Sequence, residues 1–213
     1  MKHFITTFSL SMAMLCLKSQ EMLKHESGKL DFGMRTTLSV FGDDGASGFG
    51  AGCQARLMFG KRLSSEWFID FIQNDLHNLG KRNDAHIGWS ILFYFKDEPK
   101  KYEPYLIAGH CFDYTKVTPF STLTEDRTND VKSRWSSAAQ VGFGNHFYLN
   151  EQFNLSLSVQ YMVHLGKDIH SEVEDHDGFK YLHVDYETTN NKLTLEGHLL
   201  FTLSLNIKIA DLW

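Results

Sequence analysis

Residues 192–209 read KLTLEGHLLFTLSLNIKI, a stretch in which apolar and polar side chains alternate almost without a break. Leu, Phe or Ile occupies every odd position from 193 to 209 except Gly197, and polar residues occupy every even position except Leu200. Successive side chains of a β-strand point to opposite faces, so a period of two indicates a strand with one apolar and one polar face.

The same alternation recurs in seven further segments. It is clearest in residues 152–165, where Phe, Leu, Val and Tyr alternate with Asn, Ser, Gln and His. The weaker segments are 29–41, 48–59, 65–75, 84–95, 102–115 and 134–147. Together they make eight predicted strands, and most reach the roughly nine to eleven tilted residues that cross a membrane.

The connections between these segments differ in length. Those at residues 60–64, 96–101 and 149–151 are short, those at 76–83, 116–133 and 166–191 are longer, and 42–47 is intermediate. Tight turns on one side and longer loops on the other are typical of transmembrane barrels. We therefore predict an all-β fold, an eight-stranded antiparallel up-and-down transmembrane β-barrel, with both chain ends on the periplasmic side.

Alternation alone leaves open which face points outward. A soluble barrel of the lipocalin type has the same period with its apolar face inside. Aromatic residues near the strand ends favour the lipid-facing arrangement, because such residues form girdles at the two membrane interfaces. The predicted girdle includes Trp67, Trp135, Phe153 and Trp213.

The polar face carries ionisable groups of both signs. The lumen of an eight-stranded barrel is filled by side chains rather than water, so charges placed there must pair with one another. We predict a lumen charge network formed by Arg35, Arg56, Asp70, Glu196 and His198.

The first twenty residues have the pattern of a cleavable export signal. Residues 1–3 form a short positive n-region that contains Lys2, and residues 4–17 form an uncharged, mostly apolar run that is too short for a membrane-spanning helix. We predict a signal peptide over 1–20, a short N-terminal segment over 21–28 and an outer-membrane barrel over 29–213. Export permits disulfides, but Cys53 and Cys111 fall on non-neighbouring predicted strands and are expected to be free thiols.

Charge argues against one class of partner. Removal of residues 1–20 takes away Lys2 and Lys18, which leaves 19 basic against 26 acidic residues and a formal charge of −7. This balance, with no Lys/Arg cluster, gives no support to nucleic-acid binding. No cofactor is expected.

Residues 29–213 resemble the small outer-membrane β-barrel families related to the OmpA membrane domain and OmpX. The resemblance lies in the architecture and in the last strand, where Phe201, Leu203, Leu205 and Ile207 precede the aromatic Trp213. In those families such an ending is an assembly signal, so the resemblance implies the barrel-insertion machinery and outer-membrane lipids as partners. Residues 210–212 depart from the pattern by interrupting the alternation.

The longest connection, residues 166–191, is rich in His and acidic residues. Imidazole and carboxylate groups together suit a divalent metal, and the candidate ligands are His170, Asp175, His176 and Asp177. Their spacing matches no established metal motif, and residues 175–178 also form a turn signal. An acidic solvated loop is therefore the favoured interpretation, with 116–133 and 166–191 as candidate sites for an extracellular ligand.

These features favour a barrel with a structural or surface-interaction role and a lumen filled by polar side chains. The alternatives are a lipid-modifying outer-membrane enzyme and the soluble ligand-binding barrel. His146, His164, Ser136, Ser156 and Ser158 lie on the polar face, but no Ser/His/acid set has a diagnostic spacing. Catalysis is therefore not the favoured interpretation.

Overall fold

The computed structural model describes residues 27–41, 47–97, 101–120, 131–166, 169–186 and 194–213. The side chains of Phe41, His176, Phe179 and residues 194–196 are not described. The predicted signal peptide, residues 21–26 and parts of the predicted loops 116–133 and 166–191 also lie outside the described residues.

Eight long strands stand where the alternation predicts them, and each spans more than ten residues. A further pair of short strands lies between the seventh and the last of these. The strands are β1 Lys29–Phe41, β2 Ser47–Gly60, β3 Leu63–Leu76, β4 Gly80–Tyr94, β5 Tyr102–Pro119, β6 Lys132–Tyr148, β7 Phe153–Gly166, β8 Ile169–His176, β9 Phe179–Tyr186 and β10 Thr194–Asp211.

The eight long strands form a closed antiparallel barrel in the order β1-β10-β7-β6-β5-β4-β3-β2. Closure joins the first strand to the last, from Lys29 opposite Asp211 to Phe41 opposite His198. A closed sheet has no edge, so its backbone groups find their partners within the barrel. The predicted fold class is therefore confirmed. Among the described residues, no helix is long and apolar enough to cross a membrane.

The apolar face of the strands points outward. Along β1, Met34 is 74% exposed whereas the adjacent Arg35 is 3% exposed. Apolar side chains also point outward on the other barrel strands, so the outer surface is an apolar belt of aliphatic and aromatic side chains. This arrangement is the reverse of a lipocalin-type barrel, whose apolar face is inside.

Three of the predicted girdle residues, Trp67, Trp135 and Trp213, are exposed on this outer surface, and Phe153 is partly exposed.

The lumen is less uniformly polar than the sequence suggested. Two clusters of buried apolar side chains alternate with the polar groups. One contains Phe68, Ile72, Cys111, Ala138, Met162 and Leu200, and the other contains Met58, Leu92, Tyr94, Tyr105 and Ile107. Leu200, which breaks the alternation of β10, therefore packs against other apolar side chains inside the barrel.

Two connections differ from the predictions. The loop predicted over 76–83 is a tight turn, because β3 continues to Leu76 and β4 begins at Gly80. His77 and Asn78 adopt positive φ angles of 57° and 59° there, and the Asn78 amide donates to the Asp75 carboxylate. The lengths of the connections therefore do not alternate strictly.

The connection 166–191, predicted as a solvated loop, contains the hairpin of β8 and β9. Its strands pair from Ile169 opposite Tyr186 to His176 opposite Phe179. The turn signal at 175–178 is confirmed, with positive φ at Asp177 and Gly178 and the Gly178 amide donating to Asp175. Each of these strands has only eight residues, and charged residues interrupt their alternation. The sequence pattern therefore resembled that of a loop.

The hairpin packs on the long-loop rim of the barrel, the rim at which β3 ends and β4 begins. Ile169, Leu182 and Val184 form an apolar cluster with Leu76 and Val117 of the barrel wall. A Cβ on Gly80 would lie 2.5 Å from Leu182, so a glycine here permits the close approach.

The two cysteines of the barrel are both free, as predicted. Cys53 is partly exposed on the outer face, whereas Cys111 is buried in the lumen, where its thiol lies 3.8 Å from the Met162 sulfur.

The direction of the apolar belt can be tested with Leu157→Arg, which places a cation on the outer face of β7. A mid-bilayer arginine on that face should lower the free energy of unfolding by about 2–4 kcal/mol. Urea unfolding in lipid vesicles measures the change, with Glu151→Arg in the β6–β7 turn as the control. A loss for Leu157→Arg no greater than that of the control would contradict a lipid-facing belt.

Candidate functional site

A network of buried charges occupies the lumen between β1, β2 and β3. Arg35 Nε lies 3.0 Å from Asp70, and Arg35 Nη1 lies 3.5 Å from Glu66. Arg56 Nη2 lies 3.0 Å from the other oxygen of Glu66, so this glutamate links the two arginines. Asp31 lies 3.9 Å from Arg56 and 3.7 Å from Lys29, so that three carboxylates face three cations.

The strand register explains how these residues meet. Asp31, Arg56 and Glu66 are successive partners across β1, β2 and β3. Arg35 of β1 and Asp70 of β3 are likewise aligned across β2, where the residue between them is Gly52. A side chain at Gly52 would collide with the Ile69 carbonyl and the Asp70 carboxylate, so glycine opens the path between Arg35 and Asp70.

A second polar cluster lies nearer the long-loop rim and is built from histidines. His164 Nδ1 is 2.7 Å from Asp113, His164 Nε2 is 2.9 Å from His198 Nε2, and His198 Nδ1 is 2.9 Å from Ser39. One set of tautomers satisfies the whole chain. Ser39 donates to His198, His198 donates to His164 and His164 donates to Asp113. Such a chain cross-links β1, β10, β7 and β5 through the lumen.

A third histidine completes this cluster from β4. His86 Nε2 lies 3.6 Å from Asp113, which also accepts a hydrogen bond of 2.7 Å from Ser136. The three imidazole ring centroids are 4.7, 6.0 and 6.2 Å apart. Asp113 therefore organises two histidines and a serine, and the cluster joins side chains from six of the eight barrel strands.

The structure places the predicted lumen residues in two groups rather than one network. Arg35, Arg56 and Asp70 come together, but His198 belongs to the histidine cluster. The side chain of Glu196 lies outside the described residues. Sequence reasoning did not include Glu66, although it shares the parity of Asp70 in β3, and this parity is the signal that identifies it.

The candidate metal ligands of the hairpin are only partly described. His170 Nε2 pairs with Glu172 at 2.7 Å, Asp175 accepts the turn hydrogen bond, and the side chain of His176 lies outside the described residues. Among the side chains that are described, no group of three or more His, Cys, Asp or Glu is placed to hold a metal ion. Nearby, Tyr181 donates to Glu174, and this hydrogen bond to a carboxylate raises the pKa of Tyr181.

One polar pair lies on the outer face, within the apolar belt. His110 of β5 has its Nε2 2.6 Å from the Ser137 hydroxyl of β6. The imidazole also contacts the ring of Phe112 edge to face, with the centroids 5.1 Å apart. A hydrogen bond between the two groups reduces the cost of placing them in lipid.

The fold matches solved outer-membrane proteins. Neisserial surface protein A shares 13% identity at a TM-score of 0.57, over 86% of this chain and 98% of that one. A major outer membrane protein from Thermus thermophilus shares 15% identity at a TM-score of 0.54, over 84% and 99% of the two chains. Ail, the attachment invasion locus protein of Yersinia pestis, shares 13% identity at a TM-score of 0.51, over 86% and 100%.

No protein-family model and no curated protein matches the sequence. At such low identities, the structural similarities show the fold alone. The chain has the small outer-membrane β-barrel fold that its alternation predicted, and the outer membrane is the location that agrees with its outward apolar belt.

The lumen charges can be tested with a double-mutant cycle on Arg35 and Asp70. Arg35→Met leaves Asp70 buried without its cation, which should cost about 3–5 kcal/mol of unfolding free energy. Adding Asp70→Leu removes the orphaned charge, so the double variant should be more stable than Arg35→Met alone. Urea unfolding in vesicles measures all four corners, and strictly additive losses would contradict a coupled ion pair.

Proposed function

We propose that this protein is an outer-membrane barrel whose role is to present the β8–β9 hairpin for surface interaction, while the packed lumen stabilises the barrel. The observation that carries the proposal is the position of the hairpin. It packs through Ile169, Leu182 and Val184 on the long-loop rim and leaves all of its charged side chains exposed except that of Glu174, which is partly buried.

The charge of the hairpin favours a cationic partner. Residues 169–186 contain five carboxylates and a single lysine, Lys180. Ail of Yersinia pestis has been solved in complex with the heparin analogue sucrose octasulfate, a polyanion. An acidic hairpin repels such a ligand, so the interaction proposed for this protein has the opposite charge preference.

A cavity of about 650 Å³ lies between the hairpin and the β3–β4 turn and adds an apolar component to this surface. Leu76, Leu79, Val173 and Leu182 supply its apolar wall, and Glu172 and Lys180 stand among its lining residues. A partner that combines cationic groups with an apolar side chain would use both features.

The remaining partners follow from the proposed location. Outer-membrane lipids would surround the apolar belt, and the barrel-insertion machinery would assemble it. Metal binding by the hairpin, through His170, Asp175, His176 and Asp177, remains a weaker proposal, since His170 already pairs with Glu172.

The cationic preference can be tested with the full chain folded in nanodiscs and a fluorescent oligolysine probe that ends in Trp. Replacing Glu172, Glu174, Asp175, Asp177 and Asp185 by their amides should reduce affinity at least about tenfold, an effect that salt suppresses. A variant with Asp97→Asn and Glu151→Gln on the opposite rim is the control. Equal binding by the hairpin variant, or a preference for sucrose octasulfate, would contradict the proposal.

A lipid-modifying enzyme is the second candidate, favoured by the outward pair of His110 and Ser137. The contact of 2.6 Å is suited to proton transfer from a serine nucleophile to an imidazole base. If the pair hydrolyses an acyl ester, the Ser137→Ala variant should abolish fatty-acid release from vesicles while the barrel remains folded. The enzyme proposal would be contradicted if the variant released as much fatty acid as the unmodified protein, or if the unmodified protein released none. His110 and Ser137 would then form a structural contact only.

A further inference from the structure

A groove on the outer face of β3, β4 and β5 lies at the boundary of the apolar belt, below the rim on which the hairpin packs. We propose that it binds a phosphate-bearing lipid of the surrounding membrane. An acyl chain would lie against Ala85, and a phosphate would contact Lys116. The proposal rests on the proposed outer-membrane location but is independent of the surface role of the hairpin.

The strand register creates the groove. Phe71, Ala85, Tyr114 and Trp135 are successive partners across β3, β4, β5 and β6, and all point outward. Three members of this row are aromatic, whereas Ala85 is small. The gap above Ala85 is a cavity of about 350 Å³ between Phe71 and Tyr114. Such an apolar slot on a lipid-facing surface suits a hydrocarbon chain.

The next row toward the long-loop rim marks the end of the apolar belt. Its outward members are Gln73, Asn83, Lys116 and Ser133, again successive partners across four strands. Gln73 donates to Asn83 at 3.2 Å, so two amides and an ammonium group line the upper edge of the cavity. Within two rows the surface therefore changes from hydrocarbon-compatible to polar, as the interface of a bilayer does.

The charge at this edge favours an anionic headgroup. The cross-strand neighbours of Lys116 are the neutral Asn83 and Ser133. In the described part of the chain, no carboxylate forms an ion pair with Lys116. Asp84 also lines the cavity, but its carboxylate is buried and accepts hydrogen bonds from Thr115 at 2.6 Å and Arg82 at 3.3 Å.

A second cation lies one row higher. Lys81 is exposed and sits 5.7 Å from the ring centroid of Phe120, and its cross-strand neighbours are Asp75 and Thr118. Asp75 offsets part of this charge, which leaves Lys116 as the principal contact for a phosphate. The combination of an acyl slot and an adjacent lysine selects an amphipathic anion over free phosphate, because only the former occupies both.

The test uses the full chain in detergent micelles with lipid A, which carries phosphates on an acylated disaccharide, and native mass spectrometry as the readout. Lys116→Gln should weaken lipid A binding about fivefold, which is the contribution of one lysine near an anionic lipid surface. Ala85→Phe should fill the slot and weaken binding at least as much. Lys116→Arg keeps the charge and should bind normally.

Matched controls are Lys61→Gln, on the opposite rim, and Ala108→Phe, elsewhere on the outer face of β5. Both should bind lipid A as the unmodified protein does, and heat-dependent migration on a denaturing gel verifies that every variant is folded. Dephosphorylated lipid A should bind the unmodified protein more weakly than lipid A does. Its affinity for the Lys116→Gln variant should equal its affinity for the unmodified protein.

Three results would overturn the proposal: equal affinity for both forms of lipid A, no effect of Ala85→Phe, or displacement of lipid A by inorganic phosphate. Loss of oligolysine binding by the hairpin would leave these measurements unchanged, so failure of the surface role and failure of the lipid site are distinguishable.

Discussion

The rest of the structure depends on the closure of the backbone hydrogen-bond ladder between β1 and β10. A lipid environment offers no partner to a free amide or carbonyl, so a sheet that spans it must have no edge. Once the sheet closes, each strand has one face toward lipid and one toward a narrow lumen. The alternation along β10 and β7 is the direct consequence of that division.

The narrow lumen imposes the second constraint, because charged side chains inside it have little water available. Arg35 and Arg56 share Glu66, and Asp113 organises the histidine cluster. Glycines such as Gly52 open the space through which ion pairs cross from strand to strand. The lumen is therefore a packed core of paired charges and apolar clusters, and the features that suit interaction lie on the rim and on the outer face.

All eight barrel strands and the outward direction of the apolar face could be predicted from alternation and aromatic placement. The partition of the lumen could not, because parity places His198 and Arg35 on the same face without saying which groups meet. That outcome depends on strand stagger and on glycine positions. The β8–β9 hairpin escaped prediction because its short, charged strands resemble a loop, and the groove above Ala85 becomes visible only when neighbouring strands are aligned.

The most direct test of a lipid-facing belt uses the protein's own tryptophans. Trp67, Trp89, Trp135 and Trp213 are all exposed on the outer surface, with Trp135 70% exposed. The protein should be folded into vesicles made with brominated phospholipids, and its tryptophan fluorescence should be compared with that in unbrominated vesicles. Strong quenching by bromine, with little quenching by aqueous iodide, is the result we expect. Quenching by iodide but not by brominated chains would contradict a barrel that turns its apolar face to lipid.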